Sequence, residues 1–536
     1  MSTPGRLPIL SRILSTLHGV RQRGASLFFL LVLPWLAVAA GPAQPHEPPF
    51  EWSQPERIPE YGDMLRAPLL VADAGGTVHA FDLELDGQQR YVILHRRWTL
   101  SGGWSSPTDI LLSEFMGTAP ALEAVTIDGQ QRIHLVYYGG DVQGNSVYYT
   151  AAAASEADSA LAWSDPVPVG VEAGVVGAAG LAANQRGDLA LVYAGDHFGD
   201  GVYGTISKNN GADWSDAILI SRSHGENLWP AYLSLVADEA GRFHAVWGTV
   251  NEQGLQEDVR YARLEADFSG WGHETTLARM DNGMELVGAP GIVASPEGLV
   301  VAYEDSFPPT KWVRRSSDWG ETWSAPVRPF YQIGGYGRPA LVVDSGGVVH
   351  MLVGNRIPDP ETSGMWYSRL VDNNWPPLKA VSARLSAPDF GPCCAQAVVT
   401  GGNLLLATWP HNVTRDFLTG AWYSYAWLDA PPIQGPVGAI DQTPPTAVPL
   451  RSTVSEPVRP ASTGASVRAE TEAESGPQDR ATPKPIQTAL PIFLGTIPVV
   501  ALLGYWMISR QRGRGTERDL ASPRGPDDDG SGGSTE

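Results

Sequence analysis

Short apolar runs, enriched in β-branched and aromatic residues, recur in sets of three along most of the chain, with Gly, Asp and Asn between them. Runs of this kind read as strands of hairpins, and no long stretch of helical periodicity interrupts them. One set is Leu122 to Ile127, Arg132 to Tyr137 and Ser146 to Thr150. Another is Leu233 to Ala237, Phe243 to Trp247 and Val259 to Arg263; a third is Pro339 to Val343, Val348 to Val353 and Met365 to Leu370. Between first and second runs lie Asp128-Gly129, Ala240-Gly241 and Gly346-Gly347, which supply the positive φ of a tight turn.

A tryptophan segment separates successive sets. It appears at Trp52, Trp104, Trp163, Trp214, Trp271, Trp323 and Trp375, followed by Ser in five cases and by a nearby Pro in most. The steps are 52, 59, 51, 57, 52 and 52 residues, a period that belongs to solenoids, propellers or arrays. Taking each tryptophan segment as a fourth strand predicts an all-β, seven-bladed β-propeller of four-stranded antiparallel blades over residues 50–429. In it each tryptophan packs between neighbouring blades, and the Ser-x-Pro after it ends an outer strand.

The two ends complete one another. Trp52 to Ile58 has no three strands before it, and Ala395 to Val399, Leu404 to Trp409 and Trp422 to Leu428 have no tryptophan segment after them. Pairing them closes the seventh blade and leaves no open sheet edge.

In the fifth repeat, Ser316-Ser317-Asp318-Trp319-Gly320-Glu321-Thr322-Trp323 matches the Asp-box S-x-D-x-G-x-T-W at each fixed position, and a degenerate copy runs from Ser207 to Trp214. On these residues the chain resembles the sialidase and BNR-repeat propellers. The motif has a mechanical logic: Asp accepts backbone N–H groups within a turn and Gly takes a conformation that a Cβ forbids. Ser316, Asp318, Gly320, Thr322 and Trp323 are therefore expected to be structural.

The resemblance implies that ligands sit on the face opposite the Asp-box turns, over the central channel. Candidates there are Arg66, Arg338, Arg356, His224, Trp229, Cys393 and Cys394. Hydrolysis by sialidase logic would need an arginine triad, here Arg66, Arg338 and Arg356. It would also need a tyrosine nucleophile, Tyr336, paired with Glu304 or Glu226. Seven blades where sialidases have six, with one complete Asp-box, favour binding of a glycan or protein partner. An exo-glycosidase acting on anionic sugars and a scaffold for envelope proteins stay as alternatives.

Outside the propeller the pattern changes. Arginines at 6, 12, 21 and 23 precede the apolar run Ala25 to Ala40, which reads as a signal peptide over residues 1–43 or as a retained signal anchor. Residues 430–487 are rich in Pro, Ser and Thr and are expected to be a disordered stalk. Residues 488–508 carry no charge over 21 positions, long enough for a single transmembrane helix. Arg510, Arg512 and Arg514 then place the tail, 509–536, in the cytoplasm and the propeller outside it.

Charge and cysteines narrow the classes. With 37 Lys and Arg against 58 Asp and Glu, the net charge of −21 argues against nucleic acid as a partner. No metal-binding or cofactor motif occurs, and the eleven histidines are scattered. The only two cysteines, Cys393 and Cys394, are adjacent. They would form either a strained vicinal disulfide or two buried thiols.

Overall fold

The computed structural model describes residues 50–433, apart from 63–65, 86–90, 113–120, 142–143, 172–178, 196–199, 223–228, 252–255, 280–286, 307–308, 331–336, 356–363, 384–393 and 415–416. The expected signal segment, nearly all of the stalk, the transmembrane segment and the tail lie outside these residues. So do His224, Glu226, Tyr336, Arg356 and Cys393. Among the described residues, no helix is long and apolar enough to cross a membrane. The chain divides into two compact units, residues 1–52 and 53–536. The propeller belongs to the second.

Seven antiparallel sheets follow one another along the chain, and each is a blade. Blade 2 shows the plan: Ala121–Ile127 pairs with Arg132–Asp141, which pairs with Gly144–Ala153, which pairs with Val167–Val171. The strands are longer than the apolar runs alone suggest, because the ladders continue past the last apolar residue toward the loops. Blade 5 is reduced among the described residues. Its three strands, Val287–Ser295, Gly298–Ser306 and Pro309–Ser316, are joined on the outside by a single bridge from Val313 to Val327.

The seventh blade closes as expected. Glu56–Arg57 pairs with Phe417–Trp427, the third strand of the C-terminal hairpin set, and Ile58 N–H donates to Ala421 at 2.9 Å.

Six of the seven blade interfaces hold a recurring tryptophan among the described residues. Trp163 packs on the apolar cluster between blades 1 and 2, Trp214 between 2 and 3, Trp271 between 3 and 4, and Trp323 between 4 and 5. Trp375 lies between blades 5 and 6, and Trp104 between 7 and 1. The recurrence of this residue is thus a recurrence of one packing site.

One expectation is corrected. The tryptophan segments are mostly not the outer strands, nor does Ser-x-Pro end those strands. Trp163 and Trp214 stand in the turns before Val167–Val171 and Ile218–Arg222, so Pro166 precedes its outer strand, where a missing N–H costs no ladder bond. The serine has its own task. Ser164 N–H donates to Ala151 O while Ala151 N–H donates to Ser164 Oγ, a reciprocal clasp onto the third strand. Ser105 clasps Arg97, Ser215 clasps Ile206, Ser324 clasps Arg315 and Ser53 clasps Tyr425 in the same way. Ser53 thereby ties the first described strand segment to the last.

A second recurring device is buried. Asp128, His134 and Tyr149 line up with His134 Nε2 3.1 Å from the carboxylate and Nδ1 2.8 Å from the phenol. Asp238, His244 and Tyr261 repeat it in blade 4, and Asp344, His350 and Tyr367 in blade 6. Blade 1 substitutes a second histidine, giving Asp73, His79 and His95. Four of the eleven histidines are therefore not scattered: they fall six residues after an aspartate at the first hairpin turn. Such burial requires full hydrogen bonding, which the aspartate completes by also accepting turn N–H groups.

These chains of polar contacts cross between blades. Tyr261 Oη donates to Trp319 O, and Tyr149 Oη to Asn210 O, in the turns of blades 5 and 3. A Cβ on Gly320 would lie 1.8 Å from Tyr261 Oη, and the residue has a φ of 93°, so only glycine fits. Within that turn Asp318 accepts Thr322 N–H at 2.9 Å and the Thr322 hydroxyl, and Ser316 Oγ donates to it at 2.7 Å. These bonds bring the Asp318 carboxyl down to about 2.

Candidate functional site at the channel mouth

The first strand of each blade runs toward the aspartate turns, so its start lies at the opposite mouth of the channel. There, three inner strands lose register. The bulges fall between Leu122 and Ala124 in blade 2, Ala231 and Ser234 in blade 4, and Gly288 and Gly291 in blade 5. A bulge leaves a residue unpaired and re-aims its side chain. The residues so released are Glu123, Tyr232 with Leu233, and Ala289 with Pro290. Tyr232 and Ala289 both adopt left-handed backbone, with φ of 56° and 47°, a strain that gathers at functional sites.

Arg338 exploits the freed carbonyls. Coming from the lead-in to blade 6, its Nε donates to Pro290 O at 3.0 Å and its Nη2 to Leu233 O at 2.9 Å. One guanidinium thus rests on the bulges of two other blades. Burial lowers it to about 10, opposed by the charges of Glu123 and Tyr232, so it stays cationic at neutral pH.

A buried ion pair holds the residue before it. Glu304 and Lys311, cross-strand partners in blade 5, meet at 3.1 Å. Lys311 Nζ also donates to Gly337 O at 2.6 Å, and Gly337 N–H donates to the Glu304 carboxylate. Gly337 has a φ of 102°, which gives the chain the turn it needs to deliver Arg338. Burial pushes the Lys311 ammonium down and Glu304 pushes it back up. The structure therefore places Glu304 as an anchor of the Arg338 backbone, with its carboxylate already engaged.

Glu123 receives Ala179 N–H from blade 3 on Oε2 at 3.3 Å. Its Oε1 is buried and has no hydrogen-bond partner among the described residues. Burial raises its carboxyl above the usual range, while Arg66, the Ala179 amide and Arg338 pull it down. The Tyr232 phenol is raised by burial and then by Glu304; Gln256, Arg66 and Arg338 act the other way. It is consequently protonated at neutral pH. Arg66 is exposed at the lead-in to blade 1, its carbonyl held by Tyr61 Oη at 2.7 Å.

Of the expected residues, Arg66 and Arg338 both bear on the charges of Glu123 and Tyr232. Trp229 begins the inner strand that carries Tyr232, half-buried and paired with Val250. Cys394 sits at the lead-in to blade 7 with a φ of 54° and is disulfide-bonded; the chain's one other cysteine is Cys393. Glu123, Tyr232 and Lys311 were missed. Glu123 is the one charged residue in the apolar inner strand Ala121–Ile127, and that break in pattern is its signal; Lys311, on a third strand shared with Arg314 and Arg315, carries no such mark.

A cavity of about 280 Å³ opens at the other end of the channel, against Asn184, Asp238, Trp319 and Asp344. Two of its three carboxylates are engaged, Asp238 by His244 and Arg242, Asp344 by His350 and backbone N–H groups, and Glu239 is the third. At the mouth lined by Arg338, Glu123 Oε1 is buried without a partner among the described residues.

The fold is a seven-bladed propeller, with Arg66, Glu123, Tyr232 and Arg338 at or before the starts of inner strands. No protein-family description and no curated protein matches the chain. Among solved structures it is similar to a polysaccharide lyase, an ulvan lyase bound to a GlcA–Rha3S unit, at 12% identity and a TM-score of 0.50, over 72% of this chain and 97% of that one. It is also similar to a protein of unknown function from Dyadobacter fermentans, at 13% identity and 0.45, over 71% and 100%. An intramolecular trans-sialidase from Ruminococcus gnavus gives 14% and 0.40, over 68% and 95%. At such identities the likeness is one of fold, and fold does not carry function with it.

Proposed function

We propose that this protein binds an anionic glycan at the mouth of its channel, with Arg66 and Arg338 holding a sugar carboxylate. The observation that carries the reading is that exposed Arg66, before blade 1, and half-buried Arg338, before blade 6, both act on Glu123 and Tyr232. Arginine in a desolvated site forms charge-assisted hydrogen bonds roughly twice as strong as neutral ones. Tyr232, protonated and flanked by bulged backbone, offers a sugar both a ring face and a donor. The similar lyase was solved with a uronic-acid-containing ligand, which supports the same chemical class here.

The reading includes tethering. The uncharged segment 488–508 and the arginines after it support a propeller held outside the cytoplasm on a flexible stalk. Calorimetric titration of the full chain with glucuronate, N-acetylneuraminate and glucose tests the binding. The acid sugars should bind and glucose should not; equal binding of all three, or of none, contradicts the reading.

A further inference from the structure

Arg66 is the freer of the two mouth arginines. Its exposed guanidinium makes no hydrogen bond or ion pair among the described residues, whereas Arg338 is braced on two carbonyls. A long side chain without a brace reaches its ligand only as well as its backbone is placed. What fixes Arg66 is therefore the segment that delivers it.

That segment leaves the closing strand of blade 7 at Arg57 and turns toward blade 1 through Pro59 and Glu60. Glu60 has a φ of 52°, left-handed backbone that a glutamate keeps only where its surroundings over-determine it. They do so through Arg96, which is buried on the third strand of blade 1. Its Nη1 donates to Pro59 O and its Nη2 to Glu60 O, both at 2.7 Å. Asp82, on the middle strand, accepts Arg96 Nε at 3.2 Å and holds the guanidinium in that orientation. Arg57 Nη2 donates to Tyr61 O at 3.3 Å. The Arg96 guanidinium also lies over the buried Tyr61 ring, 5.4 Å from its centroid. The Tyr61 hydroxyl then donates to Arg66 O at 2.7 Å. One buried ion pair thus fixes the turn and the ring, and the ring fixes the backbone of Arg66. Lys311 and Glu304 do comparable work at blade 5, where Lys311 grips Gly337 O just before Arg338.

Resting on the anion-site reading above, we propose that Tyr61 is a positioning residue for Arg66, set in place by the Asp82–Arg96 pair, and that its hydroxyl strengthens the grip on a sugar carboxylate without touching the ligand. The physical reason is pre-organisation: backbone that is already held does not have to be ordered when the ligand arrives. The effect passes through Arg66 alone, so it vanishes when the guanidinium is removed.

Calorimetric titration of the full chain with glucuronate tests this on the wild type, Tyr61→Phe, Arg66→Ala and the double variant. Tyr61→Phe removes one hydroxyl and keeps the ring on Arg96; it should weaken binding about 3- to 10-fold. In the Arg66→Ala background the same change should alter affinity by less than about twofold. Arg96→Lys keeps a charge beside Asp82 but lacks the fork that holds two carbonyls, and it should behave as Tyr61→Phe does. Unchanged affinity in Tyr61→Phe, or an equal loss with and without Arg66, overturns the positioning role and leaves the anion site standing. Absence of glucuronate binding by the wild type overturns the anion site and the positioning role together.

Discussion

The two mouths of the propeller are built on opposite principles. At the turn-bearing end, the same aspartate, histidine and tyrosine return in blades 2, 4 and 6, buried and mutually satisfied. At the other end, among the described residues, Arg66, Glu123, Tyr232, Glu304 and Arg338 come from five blades and none has a counterpart at the same place in another blade. An Asp–His–Tyr chain looks like catalytic machinery. Its repetition and its burial identify it as a stitch between blades. Groups that are repeated serve the repeat, whereas groups that occur once mark where the blades differ.

The sharpest way to break this contrast is to remove Lys311. Lys311→Met leaves Glu304 buried without its cation, and the expected loss is about 3–5 kcal/mol of stability, read by chemical denaturation. Glucuronate affinity should fall with it, because Gly337 is no longer clamped. His244→Ala attacks the other mouth. It strips Asp238 and Tyr261 of their shared partner and should cost about 2–4 kcal/mol. Glucuronate affinity, measured on the folded fraction, should stay within about twofold, since the change lies at the far end of the channel.

The pH dependence of stability tests the stitch further. Burial and the facing His79 hold His95 near 3, and burial lowers His244. Below about pH 6.5 the unfolded chain takes up protons on these rings that the folded protein refuses, so stability falls as pH drops from about 6.5 toward 3. Asp238, held at about 2 against the pull of its own burial, adds a further loss as pH falls from about 3.8 to 2. Asp82 opposes the trend. Burial raises it to about 6, so between about 6 and 3.8 the folded protein binds a proton that the unfolded chain does not. His95→Gln should flatten the slope between pH 6.5 and 4 in thermal denaturation scans. The smallest effect is expected at the surface: Asp158→Ala removes a 2.9 Å pair with Arg97 that is nearly half-exposed on both sides and should shift stability by less than about 0.5 kcal/mol.

The fold was legible because its signals are local and repeated. Seven tryptophans gave the blade count, and the unmatched ends gave the closure through Glu56–Arg57. The serine clasp was not foreseen, since its reciprocal bonds depend on backbone geometry that letters do not carry. The Asp–His–Tyr stitch was visible as a spacing of six but went unread, because single histidines carry no period of their own. Arg66 and Arg338 could be placed before inner strands from the sequence. Glu123 and Tyr232 were not foreseen, because they reach the mouth through bulges, and a bulge is fixed by how two strands slip past each other. The partners of Arg338, Leu233 O and Pro290 O, are main-chain atoms 105 and 48 residues away in sequence. No side-chain pattern announces them.

The central claim is that the unrepeated mouth holds a sugar carboxylate between two arginines. The most direct measurement is the glucuronate affinity of the full chain carrying Arg66→Ala, Arg338→Ala or both. Each single change should weaken binding by about 10- to 100-fold, the double change should abolish it, and thermal stability of Arg66→Ala should be unaltered. Glucuronate affinity that survives the double substitution would contradict the account.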